Sequence, residues 1–286
     1  MCRFVAYLGK PIIADELLIK PKNSLIHQSY QALEAVEPLN GDGFGLGWYA
    51  RKIRKEPAIF KSITPAWNNL NLRYNSGVIK SNCIIAHVRA ATSGVVSEQN
   101  THPFHYGRYL MMHNGGISHF ELIKRDIINR LSDRHFNWIK GQTDSEHIFA
   151  LFMQNVGDLE TSKPSLHELA DVLKKTINEI EELKSKRGLD ELSLYNMVIT
   201  NGIRMLATRY STHPEIEERT LYFSSGSRYV CEDNVCRMVQ EGDGEKTGSV
   251  LVASEKLDDV DGWKVIPSNH CLMIEKDMSY ELKSMD

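Results

Sequence analysis

The distribution of hydrophobic and polar positions divides the chain into two groups of strand-like segments with a helical region between them. Five short runs rich in β-branched and aromatic residues predict strands in the first part: CRFVAYL (2–8), FGLGWYA (44–50), AIFKSI (58–63), CIIAHVR (83–89) and RYLMMHN (108–114). Five more predict strands in the second part: LYNMVIT (194–200), IRMLATR (203–209), TLYFS (220–224), SVLVAS (249–254) and HCLMIEK (270–276). Asn201-Gly202 predicts a type I′ hairpin turn, in which both central residues have positive φ.

Helical periodicity fills the interval between the two groups of strands. Three pairs with the spacing of a capping box predict helix starts: Ser118 with Glu121, Thr143 with Glu146, and Ser165 with Glu168. Apolar residues follow each pair at helical spacing, and Gly157 and Gly188 stand where the second and third helices are expected to end. A fourth helix is predicted over about 25–36. Strands at both ends with helices between them favour an α+β layered domain.

Composition and charge exclude several classes of function. The chain has 286 residues, of which 42% are hydrophobic and 25% charged, and this is ordinary for a globular protein. A net charge of −3 gives no electrostatic argument for binding nucleic acid or an anionic membrane. No apolar run approaches the roughly 20 residues that span a bilayer, and the first residues do not resemble a signal peptide. A cytoplasmic protein is therefore expected.

Cysteines, histidines and glycines give no sign of a metal or cofactor. The chain has five cysteines, an odd number that favours reduced thiols, and Cys231 and Cys236 lack the second pair that a zinc site needs. The histidines are scattered, and no G-x-S-x-G motif is present. Gly43, Gly45 and Gly47 have neither the spacing nor the context of a dinucleotide fingerprint, so they indicate a close backbone approach instead.

Cys2 is the first candidate for chemistry, because it directly follows Met1. Removal of that methionine would leave a thiol and a free α-amine on the same carbon. A thiol pKa of about 8.5 and an α-amine pKa of about 7.7–8.0 would let the amine accept the thiol proton near neutral pH. An internal cysteine has no such base, so the arrangement predicts a nucleophile only at a chain terminus.

Four further positions each have a functional and a structural interpretation. Arg89, at the end of an apolar strand, is suited to grip a carboxylate or is a surface arginine. Asn114, which follows a strand and precedes two glycines, offers an amide beside a backbone N–H for an oxyanion, or belongs to a plain connector. Asp144 either binds a substrate ammonium or favours a helix start electrostatically. His102, in a turn, is more often structural than functional.

Taken in order, the motifs resemble the class II (N-terminal-nucleophile) glutamine amidotransferases: a Cys behind Met1, NGDGFG, HVRAAT, HNGG and TDSE. The resemblance is specific over about residues 2–155 and looser to the end. SLIHQS (24–29) and ITPAWNN (63–69) resemble the stand-alone branch that includes the fungal glutathione-degrading amidotransferase subunit and the ergothioneine-pathway γ-glutamyl amidohydrolase. The resemblance implies an Ntn-hydrolase-like α+β fold with four αββα layers, in which two stacked antiparallel sheets lie between helical layers.

The resemblance also implies roles for seven residues: Cys2 as nucleophile with its α-amine as base, Asn114 and the Gly115 N–H as oxyanion hole, Arg89 assisted by Thr92 for the substrate α-carboxylate, Asp144 for the α-ammonium, and His102 near the glutamine pocket. The implied reaction is hydrolysis of a γ-glutamyl amide through a glutamyl thioester. No metal or cofactor is implied.

Three functional readings remain open. The chain is expected to form a single domain over 2–286 without a fused synthase domain. It would then hydrolyse a γ-glutamyl substrate by itself, or supply ammonia to a separate synthase partner; the expected partner subunit is a synthase or a peptidase. If Met1 is retained and blocks the amine, an inactive γ-glutamyl-binding scaffold is the third reading. A choloylglycine-type acylase also uses an N-terminal cysteine, but HNGG and TDSE argue against it.

Overall fold

The computed structural model describes residues 2–34, 37–92, 94–158, 163–213, 219–232, 235–240 and 248–286. The strands are β1 Arg3–Ile13, β2 Phe44–Trp48, β3 Ala58–Ser62, β4 Lys80–Val88, β5 Phe104–Tyr106, β6 Tyr109–Gly116, β7 Leu194–Thr200, β8 Met205–Arg209, β9 Tyr222–Gly226, β10 Arg228–Glu232, β11 Val235–Val239, β12 Ser249–Ala253, β13 Trp263–Val265, β14 His270–Ile274 and β15 Tyr280–Ser284. The helices are α1 Asp15–Leu18, α2 Leu25–Tyr30, α3 Leu70–Ser76, α4 Phe120–Arg130, α5 Asp133–Trp138, α6 Asp144–Val156 and α7 Leu166–Ser185, with a 3₁₀ turn at Ala66–Asn68.

Two antiparallel sheets form the centre of the molecule. One has seven strands in the order β13-β9-β12-β1-β4-β2-β3, and the other has six in the order β15-β14-β8-β7-β6-β5. A separate hairpin pairs β10 with β11. All ten strands predicted from the sequence are present in this arrangement.

Side chains that point alternately to the two faces of a strand show how the layers stack. In β1, Phe4 and Ala6 belong to an apolar cluster shared with Leu110 and Met112 of β6, so they lie between the sheets. Val5, the intervening residue, belongs to a second cluster with residues of α1, α2 and α3. On the far face of the six-stranded sheet, a third cluster packs against α4, α6 and α7. The layers therefore run αββα, as the resemblance implies.

Two local predictions about turns and caps are wrong. Thr200 pairs with Met205, so the hairpin loop has four residues, 201–204, and only Gly202 among them has a positive φ. Asn201 Oδ1 accepts the backbone N–H groups of Ile203 and Arg204, and this Asn-centred turn replaces the type I′ turn. Ser118 does not cap α4: the N-cap residue is His119 and no side chain caps the helix, while the Ser118 hydroxyl donates to the carbonyl of Glu191 at 2.7 Å.

The other predicted helix boundaries have mixed outcomes. Ser165 and Glu168 form a full capping box at α7, and Gly157, with φ 83°, ends α6. Thr143 caps α6, but the Glu146 carboxylate accepts from the N–H groups of Lys140 and Gly141 rather than from Thr143. The helix predicted over 25–36 ends at Tyr30, and residues 35 and 36 lie outside the described residues.

Two cysteines expected as reduced thiols are instead joined. Cys231 and Cys236 lie opposite each other in the β10–β11 hairpin and form a disulfide. Cys2, Cys83 and Cys271 are free. Within the described part of the chain, no helix combines the length and the apolar character that crossing a membrane requires.

Candidate active site

The residues predicted as functional lie around one pocket. Its lining includes six of the seven: Cys2, Arg89, Thr92, His102, Gly115 and Asp144. The seventh, Asn114, directly precedes Gly115 at the end of β6. The pocket has a volume of about 20 Å³, close to that of one water molecule, and a neighbouring groove of about 810 Å³ shares Thr92, Gly115 and Asp144 with it. The three shared residues connect the pocket to the groove, so a ligand could occupy both.

Strand pairing brings Cys2 beside Arg89. Arg3 lies opposite Val88 in the β1–β4 pair, so the residues that precede β1 and follow β4 are neighbours. The thiol of Cys2 donates to the carbonyl of Ala90 at 3.4 Å. Met1 lies outside the described residues, and its removal stays a prediction.

The thiol of Cys2 is protonated near neutral pH. Burial raises its pKa, while the hydrogen bond to Ala90 and the charges of Arg219 and Arg89 act in the opposite direction without cancelling the effect. A thiol with a raised pKa supplies little thiolate by itself, so attack on an amide requires a base that accepts its proton.

The glycine-rich run NGDGFG holds the chain around Arg89. The N–H of Asp42 donates to the carbonyl of Arg89, and the N–H of Arg89 donates to the carbonyl of Gly43, both at 2.9 Å. Asp42 Oδ2 accepts the N–H of Ala91 at 2.8 Å. Gly43 has a φ of 108°, and a Cβ on Gly45 would lie 1.9 Å from the carbonyl oxygen of His102. The close approach predicted from the glycines is confirmed.

The guanidinium of Arg89 is buried, and its Nη1 donates to the carbonyl of Val95 at 3.3 Å. Burial lowers the pKa of Arg89, and the neighbouring Cys2 and Asp42, which are negative when ionised, oppose that effect. A buried cation in the wall of a pocket favours an anionic ligand group. Arg89 and Asp144 therefore give the pocket one cationic and one anionic wall.

Asp144 is fixed by the start of α6. Its Oδ2 accepts the N–H of Ile117 at 2.9 Å, and its Oδ1 accepts the N–H of Ser145 at 2.7 Å. These bonds leave lone pairs on a carboxylate that accepts about four hydrogen bonds in total. The side chain is therefore oriented by the backbone and can still accept from an ammonium group.

Asn114 and Gly115 lie where β6 meets the pocket. Asn114 is buried, and its Oδ1 accepts a hydrogen bond from Arg219 Nη1 at 2.8 Å. A Cβ at Gly115 would lie 2.0 Å from the carbonyl oxygen of Leu194, so only glycine fits here. A side-chain amide and a backbone N–H thus stand on consecutive residues of one strand, and both are donor types that an oxyanion hole uses.

The histidines beside the pocket are neutral. His102 is buried and packs against His87, with ring centroids 4.2 Å apart and ring planes tilted by 33°, and its ring nitrogens have no hydrogen-bond partner among the described residues. Burial holds the pKa of His102 well below its ordinary value. Burial also lowers the pKa of His113, whose Nε2 donates to the carbonyl of Leu194 at 2.8 Å. The predicted role of His102 stays a prediction.

Two features of the site were not predicted from the sequence. Arg219, which contacts Asn114, has no motif around it that indicates a site. The second feature is a buried ion pair in which Arg3 Nε donates to Glu255 Oε1 at 2.5 Å. Arg3 Nη1 also donates to the carbonyl of Cys2 at 2.9 Å, so the pair holds the backbone of the predicted nucleophile. The sequence offers one signal for Glu255: a charged residue directly follows the apolar run SVLVAS (249–254), so it can be buried with that strand.

Comparisons with known proteins agree on one family. The model of the family described as "Glutamine amidotransferases class-II" matches residues 20–284, a range that begins after Cys2. The chain is 39% identical to the Saccharomyces cerevisiae protein named "Probable glutamine amidotransferase DUG3", over 96% of this chain and 82% of that protein. It is 27% identical to the gamma-glutamyl-hercynylcysteine sulfoxide hydrolase of Mycolicibacterium smegmatis, over 94% of each chain.

A solved structure shows the same fold. The glutamine aminotransferase class-II domain protein from Silicibacter pomeroyi matches with a TM-score of 0.66 and 22% identity, over 99% of each chain. The two stacked antiparallel sheets described above are thus the architecture of this structural neighbour.

Proposed function

The chain belongs to the class II glutamine amidotransferases, and on that premise we propose that it hydrolyses the γ-glutamyl amide bond of glutamine or of a γ-glutamyl compound. The observation that carries the proposal is the shared pocket, in which the thiol of Cys2 lies among Arg89, Asp144 and Gly115. The sequence relatives support an enzyme of this class. The roles of the individual residues are part of the proposal.

The two charged walls would select the substrate. A γ-glutamyl group carries an α-carboxylate and an α-ammonium on one carbon. Arg89 would bind the carboxylate with help from Thr92, and Asp144 would accept the ammonium. An α-linked glutamyl group has its α-carboxyl in the peptide bond, so no α-carboxylate would be left to contact Arg89.

The reaction would begin with proton transfer from the Cys2 thiol to the α-amine of the same residue, once Met1 is removed. The sulfur would then attack the γ-carbonyl carbon, and the carbonyl oxygen would become an oxyanion bound by Asn114 Nδ2 and the Gly115 N–H. The protonated amine would give its proton to the leaving nitrogen as the C–N bond breaks. Water would add to the thioester and release glutamate and the free thiol.

The leaving group distinguishes two versions of the function. The relative from Mycolicibacterium is named as a hydrolase of gamma-glutamyl-hercynylcysteine sulfoxide, whereas the yeast relative is named as a probable glutamine amidotransferase. The groove of about 810 Å³ beside the pocket supports a leaving group larger than ammonia. A subunit that delivers ammonia to a separate synthase partner is the second candidate, and it favours glutamine itself.

The test is glutamate release from matched pairs of substrates. We expect the purified chain to cleave γ-glutamyl anilide or a γ-glutamyl peptide and to leave the α-glutamyl isomers intact. Cleavage of both isomers at similar rates would contradict the proposed selection by Arg89 and Asp144. Strong glutamine hydrolysis only after addition of a partner would favour the ammonia-delivery version.

Intact mass spectrometry tests the nucleophile. A diazoketone analogue of glutamine should add once to the wild-type chain lacking Met1 and not to Cys2→Ser. Cys83→Ala is the matched control, because Cys83 is fully buried and its variant should keep the adduct. Full turnover by a chain that retains Met1 would refute the α-amine as base, and binding without turnover would indicate a scaffold.

A further inference from the structure

Arg219 lies against the predicted oxyanion hole. Its Nη1 donates to Asn114 Oδ1 at 2.8 Å, and its side chain lines the groove beside Gly115 and Asp144. Its backbone carbonyl accepts from Asn196 Nδ2 at 3.0 Å and from Arg209 Nε at 3.1 Å. Side chains of β7 and β8 therefore fix the position from which Arg219 reaches Asn114.

The chemistry of the two side chains decides the orientation of the amide. A guanidinium has only donors, whereas a carboxamide has an oxygen that accepts and a nitrogen that donates. Arg219 can therefore bond only to Oδ1 of Asn114, and Nδ2 must point elsewhere. Without Arg219, the buried amide of Asn114 is free to rotate by 180° and present its oxygen to the developing oxyanion, where it would repel negative charge.

We propose that Arg219 is a positioning residue, which holds the carboxamide of Asn114 with Nδ2 directed at the oxyanion of the reaction. The inference rests on the proposed function, because it assigns Arg219 a part in that reaction. Arg219 acts through Asn114, and the expected consequence of its loss is slower turnover with little change in substrate binding.

The position of Arg219 has a second, electrostatic consequence. Its charge lowers the pKa of the Cys2 thiol against the effect of burial, so Arg219 lies close enough to act on the nucleophile. Removal of that charge should move the pH dependence of Cys2 alkylation to higher pH. A residue with a purely structural role would not produce this shift.

Two replacements of Arg219 test its hydrogen bond to Asn114: one removes the donor and the other keeps it. Arg219→Met keeps the length of the side chain and removes every donor, whereas Arg219→Lys keeps a charged donor. We expect Arg219→Met to lower kcat about a hundredfold, the usual cost of one oxyanion donor, with KM changed less than threefold. Arg219→Lys should recover at least a tenth of the wild-type kcat.

Arg204→Met is the matched control. Arg204 is also partly buried, and its Nη2 donates to one carbonyl, that of Pro164, at 3.0 Å. Its variant should keep the wild-type kcat. If Arg219→Met retains kcat, or loses it only in parallel with KM, the inference is overturned.

A double-mutant cycle shows whether Arg219 acts through Asn114. In an Asn114→Ala background, Arg219→Met should lower kcat by less than threefold further, because the amide that it orients is gone. A second hundredfold loss in that background would show an independent role and would overturn the inference.

An NMR readout separates this inference from the proposed function. In protein labelled with ¹⁵N-asparagine, Arg219→Met should shift or split the side-chain N–H₂ signals of Asn114, whereas Arg204→Met should not. If the wild type cleaves no γ-glutamyl compound but the Asn114 signals respond, the proposed function fails and the positioning stands. Unchanged Asn114 signals would overturn the positioning whatever the activity.

Discussion

The buried ion pair between Arg3 and Glu255, next to the proposed nucleophile Cys2, gives a prediction whose size follows from its hydrogen bonds. Glu255 Oε1 accepts from Arg3 Nε at 2.5 Å and from the N–H of Glu34 at 3.0 Å. Oε2 accepts from the N–H of Leu33 at 2.9 Å and from Asn23 Nδ2 at 3.3 Å. In Glu255→Gln, the new N–H₂ group would face two donors in either orientation of the amide.

The expected cost of this replacement is about 3 kcal/mol of unfolding free energy. Removing one partner of a buried ion pair typically costs about 3–5 kcal/mol. The lower end applies because glutamine keeps one accepting oxygen and Arg3 keeps its bond to the Cys2 carbonyl. At about 2–4 °C per kcal/mol for a chain of this size class, Tm should fall by about 6–12 °C.

Thermal unfolding of wild type and variant at pH 7 measures this cost. Asp126→Asn is the matched control, because Arg187 Nε and Asp126 Oδ2 are 2.6 Å apart but the side chains are 47% and 27% exposed. The control should lower Tm far less than Glu255→Gln does, because an ion pair exposed to solvent contributes little to stability. If Glu255→Gln lowers Tm no more than Asp126→Asn does, the buried Arg3–Glu255 pair stabilises the protein no more than an exposed pair does. The reasoning would then be wrong.

The pH dependence has a definite sign. Burial disfavours the ionised Glu255, but the charge of Arg3 and the N–H groups of Leu33 and Glu34 outweigh it and hold the pKa below the ordinary 4.5. The stabilisation is therefore present above about pH 4.5 and is lost as the pH falls through the lowered value. The difference in Tm between wild type and Glu255→Gln should shrink below that pH.

The remaining predictions concern the site and one helix. Arg89→Ala should raise KM for γ-glutamyl substrates at least tenfold in a folded protein, and steady-state kinetics with an unchanged KM would remove Arg89 from the substrate site. Iodoacetamide should modify Cys2 faster as the pH rises above neutral. It should leave Cys83 and Cys271 unmodified, because both are fully buried and burial raises their pKa values to about 12. Peptide mapping that finds either of these two labelled in native protein would contradict the described core. Ser165→Ala should lower the unfolding free energy by about 1 kcal/mol in urea titration, since it removes the capping box of α7, and no loss would mean that water replaces the cap.

Most of the sheet architecture could be predicted from the sequence, because buried strands carry long apolar runs. The strands that were missed include β5, β13 and β15, which lie at sheet edges. Edge strands pack on fewer neighbours, so a short or polar sequence such as YELKS is sufficient there. Their pairing depends on the sheet already formed beside them and leaves little pattern in the chain.

The candidate site could also be predicted in part from the sequence. Cys2, Arg89, Asn114, Gly115 and Asp144 each belong to a local motif, so their order along the chain indicated a common site. The partners that hold them come from distant segments. Arg219 meets Asn114 across a separation of 105 residues, and Glu255 meets Arg3 across 252, and no local pattern records such contacts.

The two halves of the site belong to different sheets. Cys2 and Arg89 flank strands of the seven-stranded sheet, whereas Asn114 and Gly115 lie in the six-stranded sheet. The apolar layer that includes Ala6 and Met112 separates those sheets, so its thickness affects the distance between the proposed nucleophile, Cys2, and the proposed oxyanion hole at Asn114 and Gly115. A bulkier residue at Ala6 would change that distance without replacing any residue of the proposed site, so the hydrophobic volume between the sheets is part of the geometry that the proposed reaction needs.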